Sequence, residues 1–138
     1  MIIYARKDKE LVEQLDKHLT PLKRKELIEV WYGEMIEAGE VWDEAIRRQL
    51  DSAEIFLLMV SSDFISSQYI YDVELKAAME RQRRGEARVI PVILRSCMWQ
   101  KEEFGVLQAL PGNGLPVVKW GDRDEAFTNI VQGIQKVL

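Results

Sequence analysis

The arrangement of apolar residues along the chain is typical of a protein built around a parallel β-sheet. Ile55–Val60 is a run of six apolar residues that ends abruptly at Ser61 and Ser62. A run of this length without polar alternation is typical of an inner strand with both faces buried. Similar segments predict four further strands, at Met1–Ala5, Leu27–Trp31, Arg88–Leu94 and Leu115–Lys119.

Helical patterns occupy much of the chain between these predicted strands. Apolar side chains recur at spacings of three and four residues in segments that begin near Asp8, Trp42, Tyr69 and Asp122. Strands that alternate with helices predict an α/β fold with a parallel sheet and right-handed crossovers. Within the fourth predicted strand, Pro91 cannot donate a ladder hydrogen bond, so we expect a bulge or irregular pairing there.

Length, charge and composition narrow the classes of protein to consider. The 138 residues suffice for one domain, and the net charge of −4 argues against nucleic acid as the main partner. No apolar run approaches the roughly 20 residues of a membrane-spanning helix, so no membrane association is predicted. One cysteine and one histidine provide neither a disulfide nor a zinc site, and they favour a reducing, cytoplasmic location. Because strand and helix patterns run to both ends of the chain, we expect a single domain excised from a longer protein.

Residues with binding chemistry follow the first predicted strand. Arg6 and Lys7 come directly after it. Ligands of open α/β sheets bind beyond the carboxyl ends of the strands, where these cations would meet an anionic group. Two cations in such a position are also common on ordinary surfaces. The glycines form neither a G-x-G-x-x-G motif nor a P-loop, and the serines after Val60 have no nearby histidine base.

The helix predicted after the strand Ile55–Val60 carries a second candidate group. Glu74, taken alone, is typical of an exposed helix residue. Tyr69 and Tyr71 precede it by five and three residues, and Asp72 adds a second carboxylate. The two tyrosines either face the same site as Glu74 or pack at the start of the helix. The sequence alone leaves both interpretations open.

The loop from Trp31 to Trp42 is unusually apolar. It places Met35, Ile36, Val41 and Trp42 around two glycines. Exposed apolar loops often mark protein contact sites. A core position at the start of the next helix is the alternative for Trp42.

Several motifs, in their order and spacing, together resemble the TIR (Toll/interleukin-1 receptor) domains that are widespread in bacteria. Among them are I-I-Y-A-R-K-D at residues 2–8, W-Y-G-E-M-I-E-A-G-E-V-W at 31–42 and Y-I-Y-D-V-E-L at 69–75. The resemblance extends over nearly the whole chain. It implies a flavodoxin-like fold whose five parallel strands have the order 2-1-3-4-5. It also implies that other TIR domains are the partners, and that self-association uses a loop containing Gly33, Met35, Ile36, Gly39 and Trp42.

The resemblance also implies an activity. Many bacterial and plant members cleave NAD⁺ at the nicotinamide–ribose bond with a glutamate that Glu74 matches. This implies an NAD⁺ nucleosidase that is activated by self-association and acts in bacterial immune (anti-phage) signalling, with NAD⁺ as substrate and neither cofactor nor metal. The product is ADP-ribose or a cyclic variant. The implied substrate-binding residues are Tyr4, Arg6, Val41, Tyr69 and Tyr71.

The chain departs from the family pattern at two positions. Ile70 stands where many active members have Trp or Cys, and Ala5 replaces a common serine. Tyr69 or Tyr71 is then expected to supply the aromatic wall of the site. Other TIR domains are non-catalytic scaffolds that recruit further TIR domains, and this is the alternative function.

Overall fold

A three-stranded parallel sheet forms the centre of the protein, whose computed structural model describes residues 1–138. Its strands are β1 (Ile2–Ile3), β2 (Ile55–Val60) and β3 (Arg88–Ile93), in the spatial order β1-β2-β3. β2 pairs with β1 on one side and with β3 on the other. The prediction that Ile55–Val60 is an inner strand is therefore confirmed.

The two remaining predicted strands do not form as regular strands. In the segment Leu27–Trp31, the Trp31 carbonyl accepts one hydrogen bond from the Ile2 amide at 2.9 Å. Leu115–Lys119 instead contains a 3₁₀ turn at Val117–Lys119. On the outer edge of β3, where the fifth strand was predicted, Leu110 forms an isolated parallel bridge with Val92. The five strands and their full order 2-1-3-4-5 are not confirmed.

Pro91 causes no irregularity in the pairing of β3 with β2. The register is continuous from Ile55 opposite Arg88 to Val60 opposite Ile93, so the expected bulge is wrong. The Pro91 carbonyl accepts from the Leu110 amide at 2.8 Å, on the side of β3 that faces away from β2. The amide and carbonyl of one residue in a parallel strand point to the same side, so the missing donor lies on this outer edge.

Helices surround the sheet. The α-helices are α1 (Lys9–His18), α2 (Thr20–Arg24), α3 (Trp42–Ser52), α4 (Ser62–Ile65), α5 (Lys76–Arg83) and α6 (Arg123–Gln135). A π-helix at Ile70–Leu75 leads directly into α5, and 3₁₀ turns occur at Arg6–Asp8, Gly33–Met35, Glu103–Val106 and Val117–Lys119. All four predicted helices form. None of the helices has the length and apolar character that a membrane span requires.

Two apolar clusters cover the two faces of the sheet. One contains α1 and α6 together with Leu57 and Met59 of β2. The other contains α3 and α5 together with Phe56, Leu58 and Val60. Successive side chains of β2 thus enter opposite clusters, as the unbroken apolar run requires. This three-layer α/β/α arrangement fits a flavodoxin-like fold.

Candidate functional site

A cavity of about 410 Å³ lies beside the end of β1. Its walls come from β1 and the turn after it, the loop before α3, α3 itself, and the segment that leads into the π-helix. The lining residues are Ile2, Tyr4, Ala5, Arg6, Gly33, Glu34, Trp42, Ile46, Ser67, Tyr69, Ile70 and Glu74. A larger cavity of about 570 Å³ near the start of β3 contains none of the predicted site residues.

Glu74 is buried in this cavity, and its expected position on an exposed helix surface is wrong. The residue is 8% exposed, and its carboxylate has no hydrogen-bond or ion-pair partner in the protein. Burial removes water from the carboxylate and raises the pKa of Glu74 to about 7. Ile70 and Ala78, four residues before and after it, are also buried, so Glu74 belongs to the inward face of its helix.

The helical segment that carries Glu74 contains the π-helix Ile70–Leu75. Ser67 lies at the start of the segment: its carbonyl accepts an α-type bond from the Tyr71 amide at 3.2 Å, and its hydroxyl accepts from the Ile70 amide at 3.2 Å. Single turns of π-helix inside longer helices occur often at functional sites. The apolar periodicity predicts a helix here, but it does not distinguish a π-helical turn from an α-helical one.

The structure places Tyr69 and Tyr71 in different surroundings, which decides between the two interpretations that the sequence left open. Tyr69 lines the cavity and packs against Trp42, with ring centroids 5.5 Å apart. Tyr71 lies outside the lining, where its hydroxyl donates to Glu102 and its ring meets Phe64 edge-on at 6.4 Å. Of the two, only Tyr69 is placed to form an aromatic wall beside Glu74.

The loop before α3 contributes the rim of the cavity. Gly33, Glu34 and Trp42 line it, whereas Val41 does not and is 58% exposed. The placement of Val41 thus differs from the substrate contact expected for it. Trp42 was expected in the self-association loop, and the structure places it at the cavity with 47% of its surface exposed.

The rest of this loop faces outward to different degrees. Met35 is exposed, while Ile36 is half-buried against the apolar cluster around α3. Gly39 has a φ of +90°, a conformation that side-chain-bearing residues rarely adopt, and open space surrounds its α-carbon. Tyr32 fixes the start of the loop, because its hydroxyl donates to Asp16 at 3.0 Å.

The charges in the cavity are unevenly distributed. Arg6 is the one cation of the lining, and Glu34 and Glu74 are its two acids. Glu34 was missed in the sequence, because a single glutamate in a loop gives no signal of its own. Burial raises the pKa of Tyr4 to about 12, so its phenol stays neutral at physiological pH. Lys7 does not share this site and lines a separate cavity near Asp63.

Comparison with known sequences identifies the family. Residues 1–131 match the family described as TIR domain. The chain belongs to the TIR domain family. The TIR domain is also 45% identical over 133 residues to a protein of Sinorhizobium fredii (strain NBRC 101917 / NGR234) named "Uncharacterized protein y4lF". The match covers 96% of this chain and 41% of that protein, so the chain spans less than half of its relative. No solved structure matches the chain significantly.

Glu74 is expected to make the stability of the TIR domain fall as the pH rises. Its pKa increases from 4.5 to about 7 on folding, so between these values the folded state binds more protons than the unfolded state. The free energy of unfolding is therefore highest below pH ~5. Ionisation of Glu74 lowers it by about 3 kcal/mol by the time the pH has risen above ~7. Urea unfolding of wild type and Glu74→Gln at pH 5 and pH 8 measures it. Only wild type should show this loss, and parallel pH profiles would contradict the buried, unpaired carboxylate.

Proposed function

We propose that this TIR domain is an NAD⁺ nucleosidase. It uses water to cleave the nicotinamide–ribose bond, releasing nicotinamide, a proton and ADP-ribose, or forms a cyclic variant when a group of the substrate itself replaces water. NAD⁺ is the substrate, and the reaction uses no further cofactor. The observation that carries the proposal is the buried carboxylate of Glu74, which faces the cavity without a protein partner.

The carboxylate suits the charge that develops during this reaction. Cleavage of the bond to nicotinamide leaves an oxocarbenium-like ribose, and a nearby carboxylate stabilises that positive charge and binds the ribose hydroxyls. Because Glu74 is 8% exposed and protein surrounds most of it, the interaction is stronger than it would be at a surface. An ionised group in such a position is costly to the fold, which supports a role in function.

Other lining residues suit the remaining parts of a dinucleotide. Arg6 is the cation for the pyrophosphate, and the cavity volume of about 410 Å³ falls within the range of small-molecule sites. Trp42 and Tyr69 offer a pair of aromatic faces on which a planar ring can stack. In this proposal the pair takes the place of the aromatic residue that many active members carry where this chain has Ile70.

We further propose that the domain works by homotypic association with other TIR domains, in the bacterial cytoplasm and in immune signalling. The exposed side chains of Met35 and Val41 support a contact through the loop before α3. The same loop forms the rim of the cavity, so a neighbouring domain bound to it would lie beside the site.

Incubation of the concentrated protein with NAD⁺, followed by chromatography, tests the proposal. We expect equal amounts of nicotinamide and of ADP-ribose or its cyclic variant to accumulate. NADH, which lacks the cationic nicotinamide leaving group, is the matched control and should remain intact. Failure to consume NAD⁺ at high concentration, and also in the presence of a crowding agent, would contradict the enzyme and favour a scaffold that only recruits other TIR domains.

A further inference from the structure

Asp8 is a buried carboxylate that lies outside the Glu74 cavity. It is 2% exposed and precedes α1, but its side chain accepts no hydrogen bond from the first turn of that helix. It accepts instead from the Ser61 hydroxyl at 2.5 Å and from Nε of Arg95 at 2.9 Å. These two contacts compensate for the water that burial removes from the carboxylate, and they fix its position.

The network around Asp8 joins the carboxyl ends of the three strands. Asp8 lies on the turn after β1, Ser61 directly follows β2, and Arg95 follows β3 after one intervening residue. The Ser61 hydroxyl also accepts from the Phe64 amide at 3.1 Å, and the Arg95 guanidinium also donates to Asp63. The turn after β1 and the start of α4 are thereby held at one point.

The same turn carries Arg6 into the cavity. Arg6 and Asp8 are the two ends of the 3₁₀ turn Arg6–Asp8, which is closed by a 2.9 Å bond from the Asp8 amide to the Ala5 carbonyl. Arg6 lines the cavity, and Asp8 lies among the residues of the neighbouring one. The Arg6 side chain is exposed and has no hydrogen bond or ion pair with the protein, so the backbone of the turn alone fixes the point from which it extends.

We propose that Asp8 is a positioning residue, which holds the Arg6–Asp8 turn against Ser61 and Arg95 so that Arg6 faces the pyrophosphate of the dinucleotide. This inference rests on the proposed function and deepens it. Asp8 does not touch the substrate. It acts through Arg6, and its effect therefore falls on substrate binding rather than on bond cleavage.

The substitution Asp8→Asn tests this role, because it keeps the shape of the side chain and removes the charge that holds Arg95. We expect the KM for NAD⁺ to rise about tenfold, the size of one charge-assisted contact, while kcat changes by less than about threefold. In an Arg6→Ala background the same substitution should have little further effect, since both changes remove one interaction. Asp51→Asn, on the exposed surface of α3, is the matched control and should leave both constants unchanged.

Three outcomes would overturn the proposal. The first is an Asp8→Asn effect of equal size with and without Arg6, and the second is an effect on kcat alone. The third is a crystal structure of Asp8→Asn in which Arg6 keeps its place. Ser61→Ala, which removes the hydroxyl contacts to Asp8 and to the Phe64 amide but leaves Arg95 in place, provides a second variant if Asp8→Asn fails to fold. Should wild type neither bind nor cleave NAD⁺, the proposed function fails, and the position of Arg6 in the two variant structures still decides whether Asp8 fixes the turn.

Discussion

Replacement of Glu74 by Gln is expected to lower kcat for nicotinamide release by roughly 100- to 1000-fold, the range found when one preorganised electrostatic group is removed. The amide has the size of the carboxyl group but cannot balance the positive charge that grows on the ribose. Its effect on KM is expected to be smaller, because that charge is greatest in the transition state. Chromatographic measurement of nicotinamide over a range of NAD⁺ concentrations separates the two constants.

Two controls for this prediction follow from the burial of Glu74: the same substitution at an exposed glutamate, and the stability of the Glu74→Gln variant itself. Glu125→Gln makes the same change on the exposed face of α6 and should leave kcat unaltered. Glu74→Gln should also be at least as stable as wild type at pH 8, because the substitution removes an ionised group that has no protein partner. A loss of activity that accompanies a loss of stability would indicate unfolding instead. Equal turnover by wild type and Glu74→Gln would exclude Glu74 as the catalytic group.

The cost of Glu74 to the fold and its proposed use in catalysis arise from one feature. Burial raises the pKa of Glu74 to about 7, so the carboxylate that the reaction needs is also the form that destabilises the folded state. Active sites commonly sacrifice stability in this way. The strand and helix packing around it must supply the compensating free energy, and the two buried apolar clusters are placed to do so.

The sequence predicted the inner part of the fold better than its edges. The unbroken apolar run Ile55–Val60 is typical of a strand that is paired on both sides, and its burial agrees. Leu27–Trp31 is apolar at four of its five positions, yet it gains only one backbone hydrogen bond to β1, because pairing at an edge depends on the neighbouring backbone. In Leu115–Lys119, Pro116 removes one donor and the next three residues form a 3₁₀ turn. Local composition does not contain that information.

The candidate site was predictable only where a motif identifies its residues. The resemblance selected Tyr4, Arg6 and Glu74, and the structure gathers all three around one cavity. Burial of Glu74 had a signal in the sequence, since it is spaced by four residues from both Ile70 and Ala78. The position of Tyr71 outside the cavity had no such signal, because its hydrogen bond to Glu102 joins two segments 31 residues apart.

The specific activity of this TIR domain is expected to rise with its own concentration. If a neighbouring domain seated on the loop before α3 completes the site, then at concentrations below the dissociation constant of the pair a tenfold dilution should lower activity per molecule by about tenfold. Gly39→Pro should abolish this rise, because proline holds φ near −65° and Gly39 adopts +90°. Met35→Asp should have the same effect without altering the backbone, since a charge would replace an exposed apolar contact. Initial rates over a hundredfold range of protein concentration measure the dependence.

The chain offers a matched control for the loop substitution. Gly114 also has a positive φ, +75°, with open space around its α-carbon, and it does not line the Glu74 cavity. Gly114→Pro imposes a similar backbone conflict elsewhere and should leave the concentration dependence intact. Specific activity that stays constant across the range in wild type, and is unchanged by Met35→Asp, would show that each monomer contains a complete site. In that case the exposed apolar side chains of the loop serve some contact other than catalysis, and Trp42 and Tyr69 alone close the cavity over the substrate.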